Sequence, residues 1–351
     1  MTKSYLQRAQ AEGTPLIDGN LVTFVWQGKH VPLLAGDFSD WERGQPIELE
    51  RAGRNTWCHT LELHDDAYIE YAFFDRDDPE KRYPDPYNKR LIYNGVGDYN
   101  NFLYMPQAVP TSLTRQLRKA RRGAVERYAI ETGHLVNGKT RSVYLYQPPI
   151  PEPSPLLVVW DGLDYLRRAR LPTIVDNLIA KKRLRPVALA MVNSGGKART
   201  AEYGCSEGTL AFLLHKVIPL AQDKLNLINI DTQPGSYGVI GASMGGLMAL
   251  YTALRLPDIF GYVLSQSGAF NLGTHDSVVY DLAGHLDHFH PKIFLDIGIY
   301  DFQILLAANR RMKRHLDEQK FNLMYREYPA GHNYTAWRND LVHGLEWLFG
   351  N

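Results

Sequence analysis

The chain has 351 residues, of which 44% are hydrophobic and 22% charged. At roughly 100–200 residues per domain, that length suggests two domains, and the apolar content excludes a disordered chain. No run approaches the roughly 18 apolar residues that span a membrane, and 39 Lys and Arg against 38 Asp and Glu exclude a dedicated nucleic-acid binder. Affinity for an anionic substrate would have to come from a local patch. Cys58 and Cys205 are too few for a disulfide framework or a four-cysteine zinc site. The stretch from Met1 to Gly13 has no apolar h-region, so the cytoplasm is the expected compartment.

From Leu21 to Met105 the pattern is short and alternating. Strands are expected at Leu21–Trp26, Val31–Leu34, Trp57–Leu63 and Tyr68–Phe74, each rich in aromatic or branched residues and bounded by turn formers such as Gly36-Asp37 and Asp65-Asp66. They predict a smaller all-β domain over residues 1–105, an immunoglobulin-like sandwich. Residues 106–123 read as a linker; their basic run, Arg115 to Arg122, fits a solvated face better than a docking surface.

Residues 124–351 alternate strands and helices. Val125–Ile130 and Val143–Tyr146 open as a strand pair. Leu156–Trp160, Pro186–Val192, Tyr237–Ile240, Gly261–Ser265 and Lys292–Ile297 are apolar runs of the kind buried on both faces. Helical periods fall at Leu210–Leu225, Leu247–Leu256 and Leu305–Leu316. The alternation predicts an α/β class with a mostly parallel, doubly covered sheet.

The sharpest signal is Gly241-Ala-Ser243-Met-Gly245-Gly246, between a buried strand and a helix. That is the context a nucleophile elbow requires, so residues 124–351 are expected to form an α/β-hydrolase domain. Ser243 must occupy a cramped turn, so its neighbours must be small. The helix N-terminus behind it points free N–H groups at developing negative charge.

A serine hydroxyl needs a base, and in this fold class the order is Ser, acid, His. Seven histidines follow Ser243: His275, His285, His288, His290, His315, His332 and His343. His332 lies in a loop after the strand candidate Asn322–Tyr328 and before the last helix, and is the expected base. His285, His288 and His290 lack the carboxylates or cysteines of a metal site. Asp301, in the loop after Lys292–Ile297, is the expected acid; Asp296 is its rival but falls inside the strand. The N–H of Met244 and that of Gly162 or Leu163, after strand Leu156–Trp160, are the expected oxyanion donors. No cofactor or metal is expected.

These segments resemble the enterochelin (enterobactin) esterases and the wider esterase-D-like hydrolases. The resemblance rests on Leu157–Gly162, Arg199–Glu202, Gly241–Gly246, Val263–Gly268, Ala308-Asn309 and Gly331-His332. In the front third, Val31–Trp41, Tyr68–Tyr71 and Tyr83–Asn88 are similar to that family's N-terminal domain and to isoamylase-N-type, glycogen-binding sandwiches. The family's catalytic serine, acid and histidine fall on Ser243, Asp301 and His332. The chain departs from the pattern at Asp301-Phe302, where the family tends to carry Glu-Pro, and at Ala242 and Met244, where it often carries Gln and Phe.

The resemblance implies a serine esterase acting on the trilactone of a catecholate siderophore. Such a ferric complex is a polyanion, so its pocket should present cations. Lys197 and Arg199, after strand Pro186–Val192, and Arg338 are the expected contacts, with Arg310 and Arg311 further candidates; Arg199 could equally pair with Glu202. Two alternatives stand beside this reading. One is a cytoplasmic carboxylesterase of acetylated or feruloylated sugars. The other is a glucan-binding protein with a degenerate hydrolase domain, in which Trp26, Trp41 and Trp57 would stack on sugars. In the esterase readings the partner is a small-molecule ester, with no nucleic acid or membrane involved.

Overall fold

The computed structural model describes residues 4–78, 80–272, 275–286 and 290–351. The chain forms two compact units: Met1–Pro110 with Gly298–Gln303 and Tyr328–Ala336, and Thr111–Ile297 with Ile304–Glu327 and Trp337–Asn351. No helix among the described residues is long and apolar enough to cross a membrane.

The first unit opens on a helix, Tyr5–Glu12, absent from the sequence expectations. Its signal was a capping box: Ser4 Oγ accepts from the Gln7 N–H, and Gln7 Oε1 accepts from the Ser4 N–H. Two antiparallel sheets follow. One runs in the order Leu16–Asp18, Leu21–Gln27, Thr56–Glu62, Glu50–Gly53. The other runs Ile47–Glu48, Leu33–Gly36, Tyr68–Phe74, Tyr99–Tyr104, Leu91–Tyr93, with Arg82–Tyr83 also paired to Tyr68–Phe74. Val22, Phe24, Leu34, Ile69, Tyr71, Phe73 and Leu103 share one core. The Phe24 and Tyr71 rings meet edge to face at 4.8 Å.

The second unit is built on an eight-stranded sheet. Its strands are β1 (Ala124–Glu131), β2 (Thr140–Gln147), β3 (Leu156–Trp160), β4 (Ala188–Val192), β5 (Tyr237–Ala242), β6 (Phe260–Gln266), β7 (Lys292–Gly298) and β8 (Leu323–Tyr328). Their spatial order is β1-β2-β4-β3-β5-β6-β7-β8. β1–β2 and β2–β4 are antiparallel, whereas β4, β3, β5, β6 and β7 are parallel neighbours. Every residue of β3, β4 and β5 is buried, which explains their unbroken apolar runs.

Two expectations change here. The helix read over Leu210–Leu225 is interrupted: Glu207–Phe212 and Ile218–Lys224 flank a π-helical turn, Leu213–Val217. Pro219 has no N–H to continue the regular ladder, which favours the irregular turn before it. Residues 111–123 also pack as part of the second unit. The Asn177 side-chain amide donates to the Leu113 and Arg115 carbonyls at 2.7 and 2.9 Å, and its oxygen accepts from the Leu117 N–H at 3.0 Å. Asp176 accepts from the Gly123 N–H at 2.9 Å.

Candidate active site

β5 runs straight into the helix Met244–Arg255, and Ser243 is the hinge between them, with φ 57° and ψ −122°. A non-glycine residue there is strained, and such strain persists only where the surroundings enforce it. The Ser243 N–H donates to Gln266 O at 2.8 Å, and its carbonyl accepts from the Ala269 N–H at 3.1 Å. The small neighbours are sterically required. A Cβ at Gly241 would lie 2.1 Å from Gly245 O, and one at Gly246 would lie 2.6 Å from Ser265 Oγ. The 266–269 shelf is itself pinned: the Ser267 N–H donates to Asp296 O at 2.7 Å, and Asn309 Nδ2 donates to Gly268 O at 2.8 Å.

After β3, Asp161 takes the left-handed conformation (φ 55°) and the helix Gly162–Arg167 begins. Gly162 sits so close to β4 that a Cβ would fall 2.2 Å from the Met191 carbonyl carbon. Gly162 and Leu163 are the first residues of that helix and Met244 the first of the other, so their N–H groups have no intrahelical acceptor.

Arg199 grips Asp161 with two hydrogen bonds, Nε to Oδ1 at 2.8 Å and Nη2 to Oδ2 at 2.6 Å, and Nη2 also donates to Ala242 O at 3.2 Å. Burial pushes the Asp161 carboxyl up, and Arg199 opposes that shift. The alternative pairing of Arg199 with Glu202 is corrected: Glu202 belongs to Arg141, through two bonds of 2.8 Å. Arg310 pairs with Glu327, and Arg311 with Asp276. Lys197 is exposed and Arg338 half-buried; Arg338 Nε has no acceptor among the described residues.

In the first unit, His332 Nδ1 meets Asp301 Oδ1 at 2.8 Å. The Asp301 side chain is fully buried and that of His332 is 15% exposed. The Phe302 N–H also donates to Asp301 Oδ1, at 2.7 Å, and the Phe302 ring lies 4.8 Å from the imidazole. A buried carboxylate on Nδ1 fixes the tautomer and leaves Nε2 to accept a proton.

Asp296 has a different setting. It is fully buried in β7 and accepts from Gln266 Nε2 at 2.9 Å. Burial and the neighbouring Asp340 push its carboxyl far above the usual range. Gln266 Oε1 accepts from Tyr165 OH at 3.0 Å, so one side chain joins the helix after β3, the elbow strand's neighbour and this carboxyl pair. Sequence reasoning missed that network, because its members are far apart in the chain.

His285, His290 and His315, and the three tryptophans expected to stack on sugars, are engaged elsewhere. His285 Nδ1 meets Asp281 O and His290 Nε2 meets Leu286 O, and the His290 ring stacks on Phe321; His288 lies outside the described residues. His315 Nε2 meets Tyr280 O at 2.8 Å. Trp41 is buried, with its indole N–H on Asp37, while Trp26 and Trp57 donate to the His30 and Gly28 carbonyls.

Known proteins are similar to this chain in sequence and in fold. The Esterase family's sequence model matches residues 136–348. Iron(III) enterobactin esterase of Escherichia coli (strain K12) is 24% identical over 333 residues, spanning 87% of this chain and 82% of its own. The crystal structure of ferric enterobactin esterase from Salmonella typhimurium shares the fold with a TM-score of 0.77 at 22% identity, covering 95% of this chain and 94% of that one. A CE1 ferulic acid esterase from Anaeromyces mucronatus shares it with a TM-score of 0.58 at 16% identity, over 69% of this chain and 96% of that one. Since the family's sequence model spans most of the α/β unit and takes in the elbow and the His332 loop, the chain belongs to the Esterase family and is a carboxylic ester hydrolase.

Proposed function

We propose that this hydrolase works through Ser243, His332 and Asp301, and that its substrate is the trilactone of a ferric catecholate siderophore. His332 Nε2 takes the hydroxyl proton as Ser243 Oγ attacks the ester carbonyl carbon. The oxyanion is held by the N–H of Met244 and by that of Gly162 or Leu163. His332 returns the proton to the leaving alkoxide oxygen, giving the alcohol and an acyl-enzyme. Water, deprotonated by the same nitrogen, then releases the acid and restores Ser243. Asp301 holds the imidazole through Nδ1 and stabilises the imidazolium. The observation that carries this reading is the 2.8 Å bond between His332 and a fully buried Asp301.

The substrate class is supported by the enterobactin esterase of Escherichia coli, similar over most of both chains. Of the cations expected to face a polyanion, Lys197 and Arg338 carry no ion pair among the described residues. Arg199 is better explained as the internal partner of Asp161. The first unit is read as an immunoglobulin-like sandwich of the isoamylase-N type.

The test is turnover of p-nitrophenyl acetate and of ferric enterobactin by the purified protein and by Ser243→Ala and His332→Ala. Both substrates should be hydrolysed by the wild type and by neither variant. Aryl-ester turnover that survives in Ser243→Ala refutes the mechanism. Wild-type aryl-ester turnover with ferric enterobactin left intact refutes the substrate alone.

A further inference from the structure

The two loops that carry the acid and the base are built into the first unit, among its β-strands. The His64 N–H donates to the Tyr300 phenol oxygen at 3.0 Å, and the Gln303 N–H donates to Asp40 Oδ1 at 3.2 Å. The Tyr68 N–H donates to Pro329 O at 3.0 Å. Phe302 packs with Ala35, Trp41 and Phe74, and the Arg43 guanidinium lies 3.8 Å from its ring centroid. Residues 298–303 and 328–336 are therefore braced by groups some 230 to 290 positions earlier in the chain.

Asp37 is the least expected of these braces. It opens the 3-10 turn Asp37–Ser39 after the strand Leu33–Gly36 and is 4% exposed. Oδ1 accepts from Trp41 Nε1 at 2.8 Å and Oδ2 from the Glu70 N–H at 2.8 Å. Both bonds lock its rotamer and turn the carboxyl carbon toward Gly331, the residue before His332. A Cβ on Gly331 would lie 2.0 Å from Asp37 Cγ and 2.2 Å from Oδ1. Gly331 has no positive φ, so its backbone would accept a side chain. The carboxyl group pressed against it is what demands glycine.

We propose that Asp37 is a positioning residue for ester hydrolysis: wedged under Gly331, it sets the height of the loop that presents His332 to Asp301. This rests on the assignment of His332 and Asp301 given above. Asp37 touches neither substrate nor reacting atoms. It acts through the backbone, and a shift of about 1 Å in a catalytic group can cost on the order of 100-fold in rate.

The experiment uses the full chain with p-nitrophenyl acetate and four variants: Asp37→Ala, Gly331→Ala, the double variant and His332→Ala. Asp37→Ala and Gly331→Ala should each lower kcat by roughly 10- to 100-fold with KM within about twofold, because the loss falls on the chemical step. The double variant should be no slower than the slower single variant to within about threefold, since removing the carboxyl carbon frees the space the new methyl needs. Unchanged kcat in Asp37→Ala, or a double-variant loss equal to the product of the single losses, overturns the proposal. A loss carried by KM overturns it too. Should Asp37→Ala fail to fold, Gly331→Ala decides alone: a kcat loss at constant KM supports the wedge and an unchanged kcat refutes it. Activity surviving in His332→Ala would instead refute the underlying assignment, so the two failures are distinguishable.

Discussion

Replacing Arg199 by alanine strands a buried carboxylate. Asp161 is 3% exposed and its only ion-pair partner among the described residues is Arg199, held through bonds of 2.8 and 2.6 Å. Breaking a buried pair from one side costs about 3–5 kcal/mol. The Arg199 side chain is 30% exposed, so water can reach part of the vacated space, which favours the lower end, about 3 kcal/mol. At about 2–4 °C per kcal/mol for a unit of this size, the apparent Tm should fall by about 6–12 °C. The loss should deepen as pH rises from the ordinary carboxylate range, about pH 4, to pH 8. Burial already holds the Asp161 carboxyl above its usual range, and Arg199 is the group pulling it down. Without Arg199 the folded protein keeps a proton that the unfolded chain releases, so stability falls as pH rises through that window. Adding Asp161→Asn removes the stranded charge and should recover more than half of the lost Tm. Thermal melts of the wild type and both variants at the two pH values form the assay. An Arg199→Ala protein melting within about 2 °C of wild type, with only KM for an anionic ester raised, would refute this reasoning and return Arg199 to the substrate.

Two other perturbations follow from the same geometry. Gly162→Ala drives a methyl into the Met191 backbone at 2.2 Å; it should lower kcat on p-nitrophenyl acetate on the order of 100-fold by moving an oxyanion donor, and wild-type kinetics would remove Gly162 and Leu163 from that role. Asp296→Asn should flatten the pH dependence of stability. Burial raises both the Asp296 and Asp340 carboxyls, and the Asp340 charge raises Asp296 further, so the wild type loses stability as pH climbs above the ordinary carboxylate range, where only the unfolded chain has released its protons. Urea midpoints at pH 5, 7 and 9 test it, and an equally steep slope in the variant would locate the dependence elsewhere.

The elements best read from sequence are those whose cause is local. β3 and the Tyr68–Phe74 strand match their expected bounds residue for residue: both are fully buried, the first as an unbroken apolar run and the second as aromatic and apolar residues around Glu70, with turn formers at their ends. The elbow was legible because a strained turn tolerates only small neighbours, a demand written within six consecutive positions, Gly241–Gly246. Asp301 and His332 could be singled out by chain order, each in a loop just past a strand.

The rest depends on which distant groups fold together, and spacing along a chain does not encode that. Nothing near Asp161 announces Arg199, and nothing near Gly331 announces Asp37. An ion pair or a steric wedge needs only that two side chains meet, and many sequence separations satisfy that equally well. Local patterning thus determined the sheet strands and the cramped strand-to-helix turn at Ser243. Tertiary packing decided which charges are internal partners, which carboxyl is pushed far above the usual range, and that the loops carrying Asp301 and His332 are braced by strands from the opposite end of the chain.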